Sequence, residues 1–143
     1  MKQTIIITFI VLVIGILFIY VNIKNNLLIN LKSLNFSAIN MNDVINPTVN
    51  ITTVIEIINN SMFSLVIKNF IIEVYNGSEL IVNSTLQKTT EINKGINNIT
   101  LVFNNFKLLQ LLNNNQEYDF IIYFRFLGVK IKTIQKVNFS TLL

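Results

Sequence analysis

The chain has 143 residues, no cysteine, no histidine and a formal net charge of +4. These absences exclude disulfides, thiolate metal sites and a lipidated N-terminal cysteine, and they remove the usual imidazole proton shuttle and zinc ligand. Beyond residue 24, nine basic residues face seven acidic ones, too small a surplus for a nucleic-acid surface.

The first element is apolar without interruption by charge. From Ile5 to Val21 the chain reads IIITFIVLVIGILFIYV, of which 14 of 17 residues are Ile, Leu, Val or Phe. A helix of that length is about 26 Å long, close to the thickness of a bilayer core. Each of these side chains favours insertion by about 0.3–0.6 kcal/mol. The spacing predicts a transmembrane signal anchor over residues 1–24, with Ile5, Ile10, Val13, Leu17 and Val21 among its lipid-facing residues. Tyr20 stands where an interfacial aromatic belongs, and Lys2 and Lys24 mark the edges. No small-residue cleavage site follows, and Gly15 stands alone, so no GxxxG packing face is formed.

Residues 25–33 read as a juxtamembrane connector, and the period then changes from helical to two. Leu34, Phe36 and Ala38 alternate with polar neighbours. After Pro47, a natural strand boundary, Val49, Ile51, Thr53, Ile55 and Ile57 do the same. Asn59-Asn60-Ser61 breaks the run, Phe63, Leu65 and Ile67 resume it, and Phe70 to Tyr75 follow. Asn76-Gly77-Ser78 predicts a tight hairpin into a strand at about Glu79 to Ser84. Lys94-Gly95 predicts a second turn before Ile96 to Phe103. Phe106, Leu108, Leu109, Leu111 and Leu112 fit a helix of two to three turns, ended by Asn113-Asn114-Asn115. The last two strands carry Tyr118, Phe120, Ile122, Phe124 and Phe126, then, past Gly128, Val129, Ile131 and Thr133. The expected fold is mainly β: an N-terminal transmembrane helix followed, over residues 34–143, by an antiparallel sandwich of about seven strands with one short helix.

The order of these features is similar to that of the late embryogenesis abundant group-2 domain, also called the water-stress and hypersensitive-response domain. The residues that carry the resemblance are TTVIEIINNSMFSLVIKNFIIEVYNGSELI at 52–81, the leucine-rich segment at 106–112 and YDFIIYFRFLGVKIK at 118–132. The resemblance implies an immunoglobulin-like sandwich behind a membrane anchor, without catalytic residues, with lipid-contacting or stress-protective roles.

No pattern predicts chemistry. The seven carboxylates are scattered; only Glu117 and Asp119 are close, sharing one face of a strand start, where a solvated face outweighs a calcium site. No catalytic, cofactor-binding or metal residues are therefore assigned. Lys130, Lys132 and Lys136 form a basic edge that either meets phospholipid headgroups or a partner, or keeps an edge strand from pairing with other chains. Ile121 and Tyr123, opposite the Phe face, predict cover by the short helix or a partner subunit. Seven Asn-x-Ser/Thr sequons, beginning at Asn35, Asn50, Asn59, Asn76, Asn83, Asn98 and Asn138, arise readily among 23 asparagines. The 26 Ile, 23 Asn and 10 Lys are the bias of AT-rich codons and point to a low-GC microbe or a virus of one.

The sequence therefore predicts a non-enzymatic, single-pass membrane protein with its domain on the non-cytoplasmic side or in a virion membrane. Its partners would be the bilayer and a protein or assembly, with no nucleic acid and no small-molecule substrate. A component of a lipid-containing virus particle is one expectation; a lipid-contacting or stress-protective module of a cell envelope is the other.

Overall fold

The computed structural model describes residues 1–111, 117–126 and 128–138. Its first element, α1 (Lys2–Asn26), is an apolar helix long enough to cross a membrane. It passes directly into β1 (Leu27–Asn40), so residues 27–33, expected to be a connector, are strand. The reason is pairing. Leu27 to Leu31 lie against Asn59 to Ile55 of β2 (Thr48–Asn59), and this ladder satisfies backbone groups that a connector would leave to water.

Six more long or short strands follow β2 before the chain's last: β3 (Leu65–Ile67), β4 (Phe70–Asn76), β5 (Glu79–Leu86), β6 (Thr90–Ile92), β7 (Gly95–Lys107) and β8 (Glu117–Phe126). The one-turn helix α2 (Leu108–Leu111) lies between β7 and β8, and β9 (Val129–Asn138) closes the fold. All pairings are antiparallel. One sheet has the order β1-β2-β7, the second β5-β4-β8-β9, and the short β3 and β6 pair with each other. The chain crosses between the two main sheets through β3, back through β6, and again past α2. This is the expected immunoglobulin-like sandwich, with seven long strands and two additional three-residue strands among the described residues.

Alternation makes the core. In β2, Val49, Ile51, Thr53, Ile55, Ile57 and Asn59 are buried while their neighbours are half exposed. In β8, Tyr118, Phe120, Ile122 and Phe124 are buried. Rings meet between the sheets: Phe103 of β7 lies edge-on to Phe120 at 6.2 Å, and Phe106 to Tyr118 at 6.3 Å. Burial holds the Tyr118 hydroxyl above its ordinary pKa.

One local expectation is sharpened and one corrected. The hairpin after β4 pairs Asn76 with Glu79, so its loop is Gly77-Ser78, with Gly77 at φ 63° in the first loop position. The glycine of a two-residue loop therefore stands where the positive φ is needed, and Asn76 belongs to the strand. The predicted helix at 106–112 is shorter: Phe106 and Lys107 end β7, and helix begins at Leu108. A bulge places Val49 opposite Phe106 but Ile51 opposite Phe103, with Asn105 at φ 61° and its N–H donated to Asn50 Oδ1 at 3.2 Å. That bulge keeps Phe106 facing the core although the chain is one residue out of step. Leu112 and Asn113 to Asn115 lie outside the described residues.

Candidate functional site

The end of the sandwich that receives α1 is built as one piece with the helix. Ile23 is fully buried and Ile19 and Tyr20 partly so, packed against the domain core. The last helical carbonyls need donors, since nothing follows in the helix to supply them. Asn60 N–H donates to Asn26 O at 2.9 Å, and Met62 N–H donates to Asn22 Oδ1 at 3.1 Å. The loop presenting those donors is held from inside by Asn59. Its Nδ2 donates to Phe63 O at 2.8 Å and Ile92 O at 3.3 Å, and its Oδ1 accepts from Ser61 N and Ser61 Oγ. Asn59 is 1 % exposed, so this sequon asparagine serves as a structural clamp.

Away from this end, α1 is uncovered. Residues 1–18 are all exposed, among them Ile5 at 67 %, Ile10 at 50 % and Leu17 at 55 %. Val13 and Val21, also expected to face lipid, are exposed as well. The uncovered stretch from Lys2 to Phe18 is about 25 Å long.

The structure separates the three lysines expected to act together. Lys130 and Lys132, on the edge strand β9, line a depression of about 420 Å³ with Lys24 of α1, Leu27 and Leu28. Lys136 lies toward the other end of β9, opposite Asp119. Lys130 Nζ also sits 3.9 Å from the centre of the Tyr123 ring, and Arg125 is its cross-strand neighbour. A second depression, of about 410 Å³, is lined by Lys68, Asn69, Arg125 and Val66. Lys68 and Arg125 stand 57 positions apart along the chain, and only the β4-β8 pairing brings them together.

The outer face of the second sheet carries a polar cluster. Tyr123 Oη donates to Glu73 Oε1 at 2.8 Å and Tyr75 Oη to Glu73 Oε2 at 3.0 Å, so one carboxylate bridges two phenols. Burial and then the bond to Glu73 raise the Tyr123 pKa; for Tyr75 the bond to Glu73 comes first. Ile121 beside them is half-buried within its own sheet, while α2 joins the far end through Leu108 N–H to Pro47 O at 2.9 Å.

At the β9 edge the two sheets are tied by Gln135. Its Oε1 accepts from Leu31 N at 2.9 Å and its Nε2 donates to Ile29 O at 3.0 Å, so the amide pairs with β1 as a strand residue would. At the far end, the loop 41–46 is braced by Asn40 and Asp43 side chains accepting from the N–H groups of Asn42, Ile45 and Asn46, and it displays Val44 and Ile45 at 76 % and 80 % exposure. Glu117 is exposed and Asp119 half-buried, and no group of three or more acidic residues placed to hold a metal occurs among the described residues.

No protein-family model matches the chain, and no curated protein matches it. The molecule combines an uncovered apolar helix, a rigid junction, a basic depression beside that junction with a second on the outer sheet face, and an apolar tip opposite.

Proposed function

We propose that the protein is a single-pass membrane protein whose sandwich is a non-enzymatic structural or interaction module held against the bilayer surface. The observation that carries this reading is the contrast along α1, where Lys2 to Phe18 is exposed and apolar while Ile23 is buried in the domain. An apolar cylinder of this size is costly in water and matched to a hydrocarbon core. In this reading the domain lies on the non-cytoplasmic side, in the membrane of a virus particle or a cell envelope. The exposed Val44 and Ile45 at the far tip support a protein partner or assembly there.

The reading is tested by alkaline carbonate washing of membranes carrying the full chain. The protein is expected to stay with the membrane and to be released only by detergent. Its appearance in the wash would overturn the span. Replacing both Ile10 and Val13 by lysine is expected to abolish retention, since each lysine near the helix centre costs about 2.5–3.5 kcal/mol.

The lysine-lined depressions beside the junction favour a second reading, in which the same module contacts lipid directly and protects or organises a cell envelope. The resemblance to the water-stress and hypersensitive-response domain supports it as well. With the inter-sheet space filled by Phe103, Phe106, Phe120 and Phe124, such contact would use the outer surface.

A further inference from the structure

The charged residues are sorted along the long axis of the sandwich. Residues 27, 59 and 95 lie side by side at the helix end of the first sheet, and residues 40, 48 and 107 at its far end. In the second sheet, the 126–129 and 70 levels lie toward the helix end, and Asn76-Glu79 and Glu117-Asn138 lie at the far end. Six of the eleven basic residues, Lys24, Lys68, Lys94, Arg125, Lys130 and Lys132, fall at the helix end, against one acid, Glu91. The far end has Asp43, Glu79, Glu117 and Asp119 against Lys107 and Lys136. The middle is balanced: Lys32 pairs with Glu56 at 3.6 Å, and Lys88 and Glu73 complete the set.

We infer that the helix end is a cationic collar that rests on the phosphate groups of anionic phospholipids in the leaflet from which α1 emerges; this rests on reading α1 as a membrane span. Lys24 lies six residues beyond Phe18, the end of the unbroken exposed stretch, which places it about 9 Å above the end of the free cylinder. That is headgroup level, within about one Debye length of the lipid phosphates at physiological salt. Around it the two depressions each present two or three cations: Lys24, Lys130 and Lys132 in one, Lys68 and Arg125 in the other. Arginine and lysine differ usefully here. The guanidinium forks onto two phosphate oxygens, and the ammonium groups on their long stems follow a mobile headgroup. The acids withdrawn to the far end remove the repulsion that a mixed surface would impose.

The chain has no cysteine, so a single introduced thiol can be labelled. The full chain carrying a fluorophore at Asn69→Cys is reconstituted in vesicles of phosphatidylcholine with phosphatidylglycerol. Trace spin-labelled phosphatidylglycerol or spin-labelled phosphatidylcholine then serves as the quencher. The anionic quencher is expected to act several-fold more strongly than the neutral one. The preference should vanish at about 1 M salt, where the Debye length is ~3 Å. It should also weaken with each of Lys68→Gln, Lys94→Gln and Lys132→Gln, exposed positions whose replacement leaves the core intact, and be lost in the triple variant that carries all three. A label at Asn42→Cys, at the far end, should be quenched by neither. Equal quenching by the two lipids, or a preference that survives the triple variant, overturns the collar alone. Loss of the chain from vesicles on alkaline washing overturns the span, and the collar with it.

Discussion

Three buried or half-buried polar side chains set local stability in opposite directions. Asn59 uses both ends of its amide to hold the loop that caps α1, so Asn59→Ala removes a donor from Phe63 O and Ile92 O and the acceptor that Ser61 N and Ser61 Oγ share. A cost of about 2–4 kcal/mol is expected, read from urea unfolding in detergent. Thr53 is the reverse case. Its Oγ1 is buried on the core face of β2 and has no hydrogen-bond partner among the described residues. Thr53→Val keeps the shape and removes a desolvated hydroxyl, so the same measurement should show stabilisation of about 1 kcal/mol. Gln135 bridges the sheets, and Gln135→Glu retains an acceptor for Leu31 N but sets a carboxylate against Ile29 O. The sequence gives no hint of these roles: one asparagine among 23 and a glutamine on an exposed edge strand look like solvated residues until their partners, up to 106 positions away, are brought beside them.

At the level of elements, the long strands are legible because burial on one face imprints a period of two, clearest in β2 and β8, each of which lies between two partners in its sheet. The start of β1 is illegible for a physical reason. A register shift between Leu31 and Ser33 breaks its alternation, and Leu27-Leu28 begins it with two apolar residues together. Leu65 and Ile67 of β3 continue that period and were legible, whereas β6 is three residues long with a single buried apolar residue, too little for a period to be seen. Phe106 fits a helix or a strand equally well by spacing, and its bulge, fixed by Asn105 and Asn50, decides for the strand. Of the charged collar only Lys130 and Lys132 were legible, as neighbours on one strand; the other members come from α1, the β3–β4 and β6–β7 junctions and β8, far apart along the chain.

The second sheet also carries a pH response. The pKa of both Tyr75 and Tyr123 is raised in the folded protein, so in the unfolded chain they ionise first, near the ordinary value of 10.0. Their contribution to stability is therefore fully present below that value and is lost as pH rises through the folded values. Ultraviolet titration of phenolate should show Tyr75, Tyr118 and Tyr123 ionising late, and Glu73→Gln should bring Tyr75 and Tyr123, but not Tyr118, back toward 10.0.

For the whole molecule, the junction between helix and domain matters as much as either part. Ile23→Ala removes a fully buried side chain from it and is expected to cost about 2–5 kcal/mol, with hydrogen exchange at Asn60 and Met62 accelerating as the junction loosens. Paired Val44→Asp and Ile45→Asp variants test the opposite end. They should leave membrane retention unchanged and release whatever protein co-purifies with the wild-type chain after mild detergent extraction.

The direct passage from Asn26 to Leu27 has a mechanical consequence. With no linker to act as a swivel, and with Asn22, Ile23 and Asn26 locked to the domain, helix and sandwich tilt together. In the proposed span, an apolar stretch of about 25 Å is slightly short for a bilayer core of ~30 Å, so thicker membranes would draw the domain down and only a core thinner than the stretch would let it lean. The far tip, a whole sandwich length from the pivot, would then sweep a wide arc for a small change in lipid thickness. With α1 as the proposed span, membrane thickness would set the height and direction at which Val44 and Ile45 are offered.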